Sequence, residues 1–209
     1  MAVVTKTLKT SGGDYSLMST WESTEQTDLV AAGDSHVLEC YSGTYDDNVS
    51  VTGWTTGASN TITIRPATGN HHGGSLSAGV RLVKNIAGTV FNCIQNFTFV
   101  EGLYVENSRD FSADNAFGIN SGTTTGTTGI DSIIGVGTGT TGVGIALGSG
   151  GTGCYVRNCL AFGGSSGDAF LINGFYDGDI YNCTAASYGA YGFNKAGTNR
   201  ATTIKNCGA

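Results

Sequence analysis

Short apolar runs separated by Gly, Ser, Thr and Asn fill the chain after residue 30, and they lack the spacing of amphipathic helices. Towards the C-terminus these runs become a repeat: the stretches VRNC, IYNC and IKNC end at Cys159, Cys183 and Cys207, 24 residues apart. Weaker copies begin at Val105 (VENS) and Ile130 (IDSI). A fixed period of this length, made of short β-like pieces, predicts a solenoid.

A second apolar cluster lies between successive copies of the repeat, at Phe117, Ile145, Phe170 and Tyr191. Each period of about 24 residues therefore holds at least two short strands with Gly-rich or Ser-rich turns between them. We expect an all-β protein, a right-handed parallel β-helix in which each coil forms one rung. Adjacent rungs should lie about 4.8 Å apart, as neighbouring strands do in any sheet.

Equivalent residues of stacked rungs should form columns along the solenoid. The expected interior column consists of Val105, Ile130, Val156, Ile180 and Ile204. The Asn of each copy is expected at a sharp bend, because Asn tolerates the left-handed conformation, and its amide can bond to the next rung. This structural ladder contains Asn107, Ser132, Asn158, Asn182 and Asn206, and we expect Asn158 and Asn182 to be buried. Cys159, Cys183 and Cys207 should follow the bend as an inward column of mostly reduced thiols.

The N-terminal part has a different pattern. The best helix candidate is residues 12–29, GGDYSLMSTWESTEQTDL. Ser16 would be its N-cap, and Leu17 and Trp21 would lie on one face. Strands are expected at residues 36–40 and 61–65. The sequence therefore divides into an N-terminal cap with the first strands (residues 1–60) and the parallel β-helix (61–209). The cap helix should cover the first open rung.

Charge and composition exclude several classes of protein. The net charge is −6, and residues 1–50 carry eight carboxylates against two lysines. No basic stripe is present, which argues against nucleic-acid binding. No apolar run has the length of a signal peptide or a membrane span. The six cysteines form no CxxC pair and no zinc-type cluster, so we expect small buried side chains and neither a metal nor a cofactor.

At this point the chain resembles a known group of proteins. GDYSLMSTWES, ECYSG, ITIRP, FVEGLYVEN and the repeated NC corners are similar to right-handed parallel β-helix proteins of phage particles. The resemblance covers most of the chain, and it specifies the fold better than the function. It implies a role as tail spike, fibre, capsid decoration or polysaccharide-degrading enzyme.

Catalytic chemistry has only weak candidates in the sequence. Asp177 and Asp179 in YDGDI would point the same way on an extended strand, and Asp168 lies about one strand earlier. Paired carboxylates suit an inverting hydrolase, and they also suit calcium. However, Asp-Gly is a common turn pair, and we expect a turn here. The GNHHGG stretch is expected to be a solvated loop around His71 and His72.

We therefore expect a non-enzymatic structural protein of a virus particle, either a head decoration or a tail-associated protein, located in the virion. A polysaccharide-binding or polysaccharide-cleaving tail spike is one alternative, and an extracellular adhesin or filament subunit is another. The strand ending IKNCGA has no visible cap, so we expect a homo-oligomer, a trimer by preference. Capsid or tail proteins would be its partners, and a host surface glycan is a further candidate.

Overall fold

The computed structural model is a parallel β-solenoid, and it describes residues 2–109, 114–119, 126–186, 189–196 and 202–209. Within these ranges it has two short helices, α1 (Met18–Glu25) and α2 (Leu29–Ala32). The strands are β1 (Ala2–Leu8), β2 (Asp34–Cys40), β3 (Gly43–Tyr45), β4 (Val49–Val51), β5 (Ile62–Pro66), β6 (Val80–Lys84), β7 (Thr89–Cys93), β8 (Thr98–Glu101), β9 (Leu103–Asn107), β10 (Asn115–Ile119), β11 (Gly129–Asp131), β12 (Ile134–Gly137), β13 (Val143–Arg157), β14 (Leu160–Phe162), β15 (Phe170–Tyr181), β16 (Thr184–Ala186), β17 (Phe193–Ala196) and β18 (Thr203–Lys205).

The strands stack into three walls, and the pairs between neighbouring rungs are parallel throughout. Wall A contains β1, β2, β5, β8, β11, the second parts of β13 and β15, and β18. Wall B contains β4, β7, β10, the first parts of β13 and β15, and β17. Wall C contains β3, β6, β9, β12, β14 and β16. The chain passes from wall B to A to C in each of about six right-handed turns, which confirms the predicted fold class.

Apolar columns on the inner faces of the walls build the core. The wall A column contains Leu38, Ile64, Val100, Ile130, Val156, Ile180 and Ile204 in register. On wall B, Phe91 stacks on Phe117 with ring centroids 4.7 Å apart, and Phe170 stacks on Phe193 at the same distance. The stacked rings are separated by about the same distance as the strands that carry them. Ring stacking therefore helps to hold neighbouring rungs in register.

From β8 onward, the corner between walls A and C is made by one residue per rung with a positive φ. This residue is Gly102 (62°), Ser132 (55°), Asn158 (56°), Asn182 (52°) or Asn206 (54°). Left-handed backbone strongly favours Gly and Asn, which explains the spacing of the NC stretches. Asn158 and Asn182 are exposed, so the expectation that they are buried is wrong. The corner lies on the outer surface, where the Asn182 amide reaches Oδ1 of Asn158 at 3.5 Å.

Asn107 does not belong to this corner column, and Val105 does not belong to the wall A column. Val105 pairs with Leu82 and Gly135 on wall C, and Asn107 ends strand β9. Asn107 is buried, and its Nδ2 donates to the carbonyls of Ile86 and Gly88 at 3.1 and 3.0 Å. VENS resembles a copy of the repeat because its spacing from the next copy is close to regular. The true copy is residues 100–103, VEGL, in a rung longer than those that follow.

Other expectations for the coil need smaller corrections. The wall B column continues to Phe193 rather than to Tyr191, whose side chain is 65% exposed. The Gly-rich sequences of residues 137–142 and 148–153 predict loops; residues 138–142 do form a turn, whereas residues 148–153 belong to β13. A third stretch that predicts a loop, residues 121–129, lies mostly outside the described residues. Wall A runs without interruption from β1 through β5, so its stack crosses the expected boundary at residue 60.

The N-terminal helix occupies one end of the solenoid, as predicted. Met18 and Trp21 of α1 are fully buried, and α1 packs beside β4, the edge strand of wall B. Its N-cap is Leu17 instead of Ser16, and Leu17 is partly exposed. Asp47 replaces the missing cap, because its carboxylate accepts from the Ser19 amide and hydroxyl at 2.9 and 2.7 Å. Among the described residues no helix has the length and apolar character that crossing a bilayer requires.

The corner conformation gives a direct stability test. Replacing Asn182 with Leu should lower the free energy of unfolding by about 1–2 kcal/mol, because a left-handed backbone is strained for Leu. Asn182→Gly is the matched control, since Gly adopts this backbone freely and should stay within about 1 kcal/mol of the wild type. Urea unfolding measures both variants. Equal midpoints for Asn182→Leu and the wild type would contradict this account of the corner.

Candidate functional site

The outer face of wall A carries a row of charged and aromatic side chains. Side chains alternate between the core and solvent along each strand, so two outward columns run along this face. The polar column contains Glu39, Arg65, Glu101, Asp131, Arg157, Tyr181 and Lys205. The second column, two residues earlier on each strand, contains Thr63, Phe99, Gly129, Tyr155, Asp179 and Thr203.

Asp131 and Arg157 form the centre of the polar column. The Nε of Arg157 donates to Oδ2 of Asp131 at 2.6 Å, and the Asp131 side chain is only 19% exposed. Oδ1 of Asp131 accepts from the Asn158 amide at 2.9 Å and from the Ser132 hydroxyl at 2.9 Å. Two of these donors are the corner residues themselves. The left-handed corner therefore also orients the carboxylate beside it.

This environment keeps Asp131 ionised. Partial burial pulls the pKa of its carboxyl upward, but the hydrogen bonds from Asn158, Arg157 and Ser132 and the guanidinium charge outweigh burial, so the pKa lies below its usual value. Arg157 has its Nε committed to Asp131, while half of its side chain is exposed. A guanidinium held through Nε can offer its two terminal nitrogens to a planar oxygen pair.

An aromatic shelf lies next to this ion pair. The rings of Phe99 and Tyr155 lie 6.4 Å apart at 26°, and the Arg157 guanidinium lies 4.9 Å from the centre of the Tyr155 ring. Gly129 makes the shelf continuous, because a Cβ there would overlap the Tyr155 ring. The shelf presents a flat apolar surface beside hydrogen-bonding groups, the combination that a sugar ring can use.

Glu101 stands on the strand next to Asp131, with the two Cα atoms in register. It lines a polar cleft of about 190 Å³ together with Glu39, Arg65 and His71. Arg65 is bound to Glu39 at 3.2 Å. Glu101 also acts electrostatically on Arg157. Two outward carboxylates and one arginine thus lie on three successive strands.

The loop of residues 67–79 forms the rim of the cleft. His72 fastens it, because its Nε2 lies 2.7 Å from the Ser132 carbonyl and its Nδ1 accepts from the Gly74 amide at 2.9 Å. With Nδ1 as acceptor, the proton lies on Nε2 and is donated to Ser132. His71 is exposed at the cleft, as expected of a solvated loop, but His72 is buried, so that expectation is wrong for His72.

The structure does not bring the three predicted aspartates together. Asp168 lies before β15 and accepts from the Tyr191 amide and the Asn194 side chain at 3.3 and 2.8 Å. Asp177 and Asp179 lie in the second half of β15, so the turn expected from Asp-Gly is a strand instead. Asp179 does face outward in the second column, beside Tyr155. Within the described ranges, no three His, Cys, Asp or Glu side chains are grouped closely enough to hold a metal ion.

The predicted cysteine column lies behind the corner, on the inner side of the coil. Cys159 and Cys183 are buried, and Cys207 is partly exposed. The Cys183 amide approaches the Cys207 sulfur at 3.4 Å. All six cysteines belong to the described part of the chain and are free thiols there. Burial raises the pKa of Cys159 well above its ordinary value, which favours an unreactive thiol over a nucleophile.

Sequence reasoning missed Glu101 and Asp131, although a usable signal was present. Each corner stretch has one variable position between its apolar residue and its Gly, Ser or Asn. That position faces outward, and it reads Glu101, Asp131, Arg157, Tyr181 and Lys205 along the solenoid. The misassigned copy at Val105 removed Glu101 from this series.

Comparisons with known proteins give matches of fold only. No family model and no curated protein matches the chain. A solved structure of the pectin methylesterase from Aspergillus niger in deglycosylated form matches with a TM-score of 0.51 and 13% identity, over 98% of this chain and 85% of that chain. The same enzyme in penultimately deglycosylated form, with an N-acetylglucosamine stub at its own glycosylated Asn, matches at TM-score 0.47 and 13% identity, over 100% and 85%.

These matches correct the expected function. A solved structure that shares the fold, at TM-score 0.51, is that of an enzyme, and neither of these two matches links the chain to a phage, a capsid, a tail or a virion. The expectation of a non-enzymatic particle protein is therefore wrong. Its error was to let a resemblance that specifies only the fold decide the function.

The Asp131 network predicts a pH-dependent stability. A carboxyl whose pKa is lowered by folding stabilises the folded state at pH values above its unfolded pKa of about 3.9. This stabilisation is lost as the pH falls through the folded pKa. Asp131→Asn should therefore lower the free energy of unfolding by about 1–3 kcal/mol at pH 7, and its difference in stability from the wild type should become smaller below about pH 4.

Asp46→Asn is the control for this prediction. Asp46 pairs with Lys84 at 2.9 Å, but its side chain is 84% exposed, and such pairs contribute little. Urea unfolding from pH 3 to pH 7 measures both variants. An Asp131→Asn deficit that does not change with pH would mean that the network does not depend on the charge of Asp131.

Proposed function

We propose that the outer face of wall A hydrolyses a carboxylate ester carried by a polysaccharide. The observation that carries the proposal is the alignment of Glu101, Asp131 and Arg157 on successive strands beside the Phe99–Tyr155 shelf. The name of the enzyme with the matching fold, a pectin methylesterase, suggests the substrate class. The chemistry below is argued from the residues of this chain.

The face suits a partly esterified uronate chain. A sugar ring would pack on the aromatic shelf, with its substituents directed to the polar column two residues away. An esterified carboxyl is uncharged, so it can lie near Glu101 without repulsion. Free carboxylates further along the chain would be attracted by Arg157 and Lys205, which are both exposed.

Glu101 would serve as the general base and Arg157 as the electrophile. Glu101 takes a proton from a water as its oxygen attacks the ester carbonyl carbon. The negative charge that develops on the carbonyl oxygen is stabilised by the terminal nitrogens of Arg157. Collapse of the tetrahedral intermediate breaks the carbon–alkoxy bond, and the alkoxy oxygen recovers the proton from Glu101. The products are an alcohol and a uronic acid, which ionises to the uronate and releases one proton to solvent.

Asp131 acts in this scheme as a positioning residue. It holds Arg157 through Nε, so the guanidinium need not reorganise when charge develops on the substrate. Its oxygens already accept three hydrogen bonds, which makes it a poorer proton acceptor than Glu101 on the next strand. For this reason Glu101 is assigned as the base and Asp131 as the positioning residue.

Methanol release from methyl-esterified polygalacturonan tests the proposal. Wild-type protein should release methanol, and Glu101→Gln should lower kcat by roughly 10²–10⁴-fold, as expected for loss of a general base. Arg157→Lys should lower it by about 10²-fold or more, since Lys cannot reproduce the fork. Asp179→Asn, a change in the neighbouring outward column, should retain activity within about twofold.

Two results would overturn the proposal. Methanol release by Glu101→Gln at the wild-type rate would show that Glu101 is not the general base. Release of reducing ends without methanol would identify cleavage of the glycosidic bond instead.

The homo-oligomer expected from the sequence stays a prediction, to be checked by sedimentation across a concentration series, and it does not affect this assay.

A further inference from the structure

A second groove lies on the outer face of wall C, on the other side of the 67–79 loop. It encloses about 370 Å³ and is lined chiefly by Leu76, Tyr104, Val136, Thr138, Phe162 and Ser165. Val136 and Phe162 are neighbours on adjacent strands and form the apolar floor, while Leu76 from the loop, 46% exposed, forms one wall. A groove of this size and lining is typical of small-ligand sites.

A polar cluster adjoins the groove at Tyr104, which is one of its lining residues. Glu106 is the in-register neighbour of Val136, and its Oε2 accepts from the Tyr104 hydroxyl at 2.6 Å. The Arg81 guanidinium lies 4.7 Å from the centre of the Tyr104 ring, and its Nη2 is 4.0 Å from Oε2 of Glu106. Burial, together with the bond to Glu106, raises the pKa of Tyr104 to about 12, so the hydroxyl stays protonated.

The opposite wall of the groove is backbone with few side chains. A Cβ on Gly163 would come within 2.6 Å of the Asp168 carbonyl carbon, and one on Gly164 would overlap the Gly139 carbonyl oxygen. These glycines are therefore required for the turns of successive rungs to stack. Their packing leaves a smooth wall whose rim carries the hydroxyls of Thr138 and Ser165, both exposed.

We infer that the wall C groove binds a neutral sugar residue. The C–H faces of a sugar ring would pack on Val136 and Phe162, and its hydroxyls would reach the Tyr104 oxygen, which Glu106 orients, and the hydroxyls of Thr138 and Ser165. The charges of Arg81 and Glu106 compensate each other, so a charged ligand would find no opposite charge left over at the groove. An acyl chain of the same size would cover the Tyr104 oxygen and the rim hydroxyls without offering them hydrogen bonds.

This site is independent of the proposed hydrolysis. It faces away from Glu101 and Arg157 across the loop, and it contains no pair of outward carboxylates on adjacent strands. A protein that failed to release methanol could still bind sugar here. The reverse also holds, so the two sites can be tested separately in one molecule.

Titration with cellohexaose, maltohexaose and xylohexaose, followed by backbone amide NMR shifts, tests the inference. At least one of these neutral oligosaccharides should shift the amides of residues 136–138 and 163–165. Phe162→Ala should weaken its binding about three- to tenfold, the loss expected for one aromatic contact. Phe99→Ala on wall A is the matched control and should leave this binding unchanged. Glu106→Gln should also weaken binding while the protein stays folded by circular dichroism.

The contradicting outcomes are specific. Absence of shifts in residues 136–138 and 163–165 with all three sugars would overturn the inference. So would binding that Phe162→Ala and Glu106→Gln leave intact, or binding of hexanoate to the groove in preference to every sugar. Methanol release by Phe162→Ala at the wild-type rate would confirm that any loss concerns this groove alone.

Discussion

The left-handed residue at the corner between walls A and C is the constraint on which the rest of the structure depends. From β8 onward each rung turns at one residue with a positive φ, and Gly102, Ser132, Asn158, Asn182 and Asn206 supply it. Because the corner recurs in each of these rungs, the residues before it are held in register over wall A. Their inner side chains form the core column, and their outer side chains form the polar column.

The corner therefore links folding to chemistry. Ser132 and Asn158 turn the chain and also donate hydrogen bonds to Asp131, which in turn fixes Arg157. The side chain just before the corner faces solvent and does not pack in the core, so this position can carry functional groups. The 67–79 loop is fastened to the same corner through His72. It separates the polar cleft on wall A from the groove on wall C.

The sequence predicted the solenoid, its period and its N-terminal helix because these depend on local patterns that repeat. It misplaced the rung at Val105 because Gly102 fulfils the corner requirement without resembling Asn, and because that rung is longer than its neighbours. Asp131 and Arg157 occupy the same outward position of successive copies, so their proximity was accessible from the repeat. The hydrogen bonds from Asn158 and Ser132 that orient the Asp131 carboxylate could not be predicted, since they depend on side-chain conformations that leave no periodic trace. The contact from His72 to Ser132 joins residues too far apart in the chain for any local pattern.

The most direct test of the account is a crystal structure of the Glu101→Gln variant with a methyl-esterified oligogalacturonate. We expect the sugar rings along the Phe99–Tyr155 shelf, with an ester carbonyl oxygen within hydrogen-bonding distance of the terminal nitrogens of Arg157. The Asp131–Arg157 contact should stay as it is in the free protein. An oligosaccharide bound on wall B, or bound on wall A with its esters directed away from Arg157, would contradict the account.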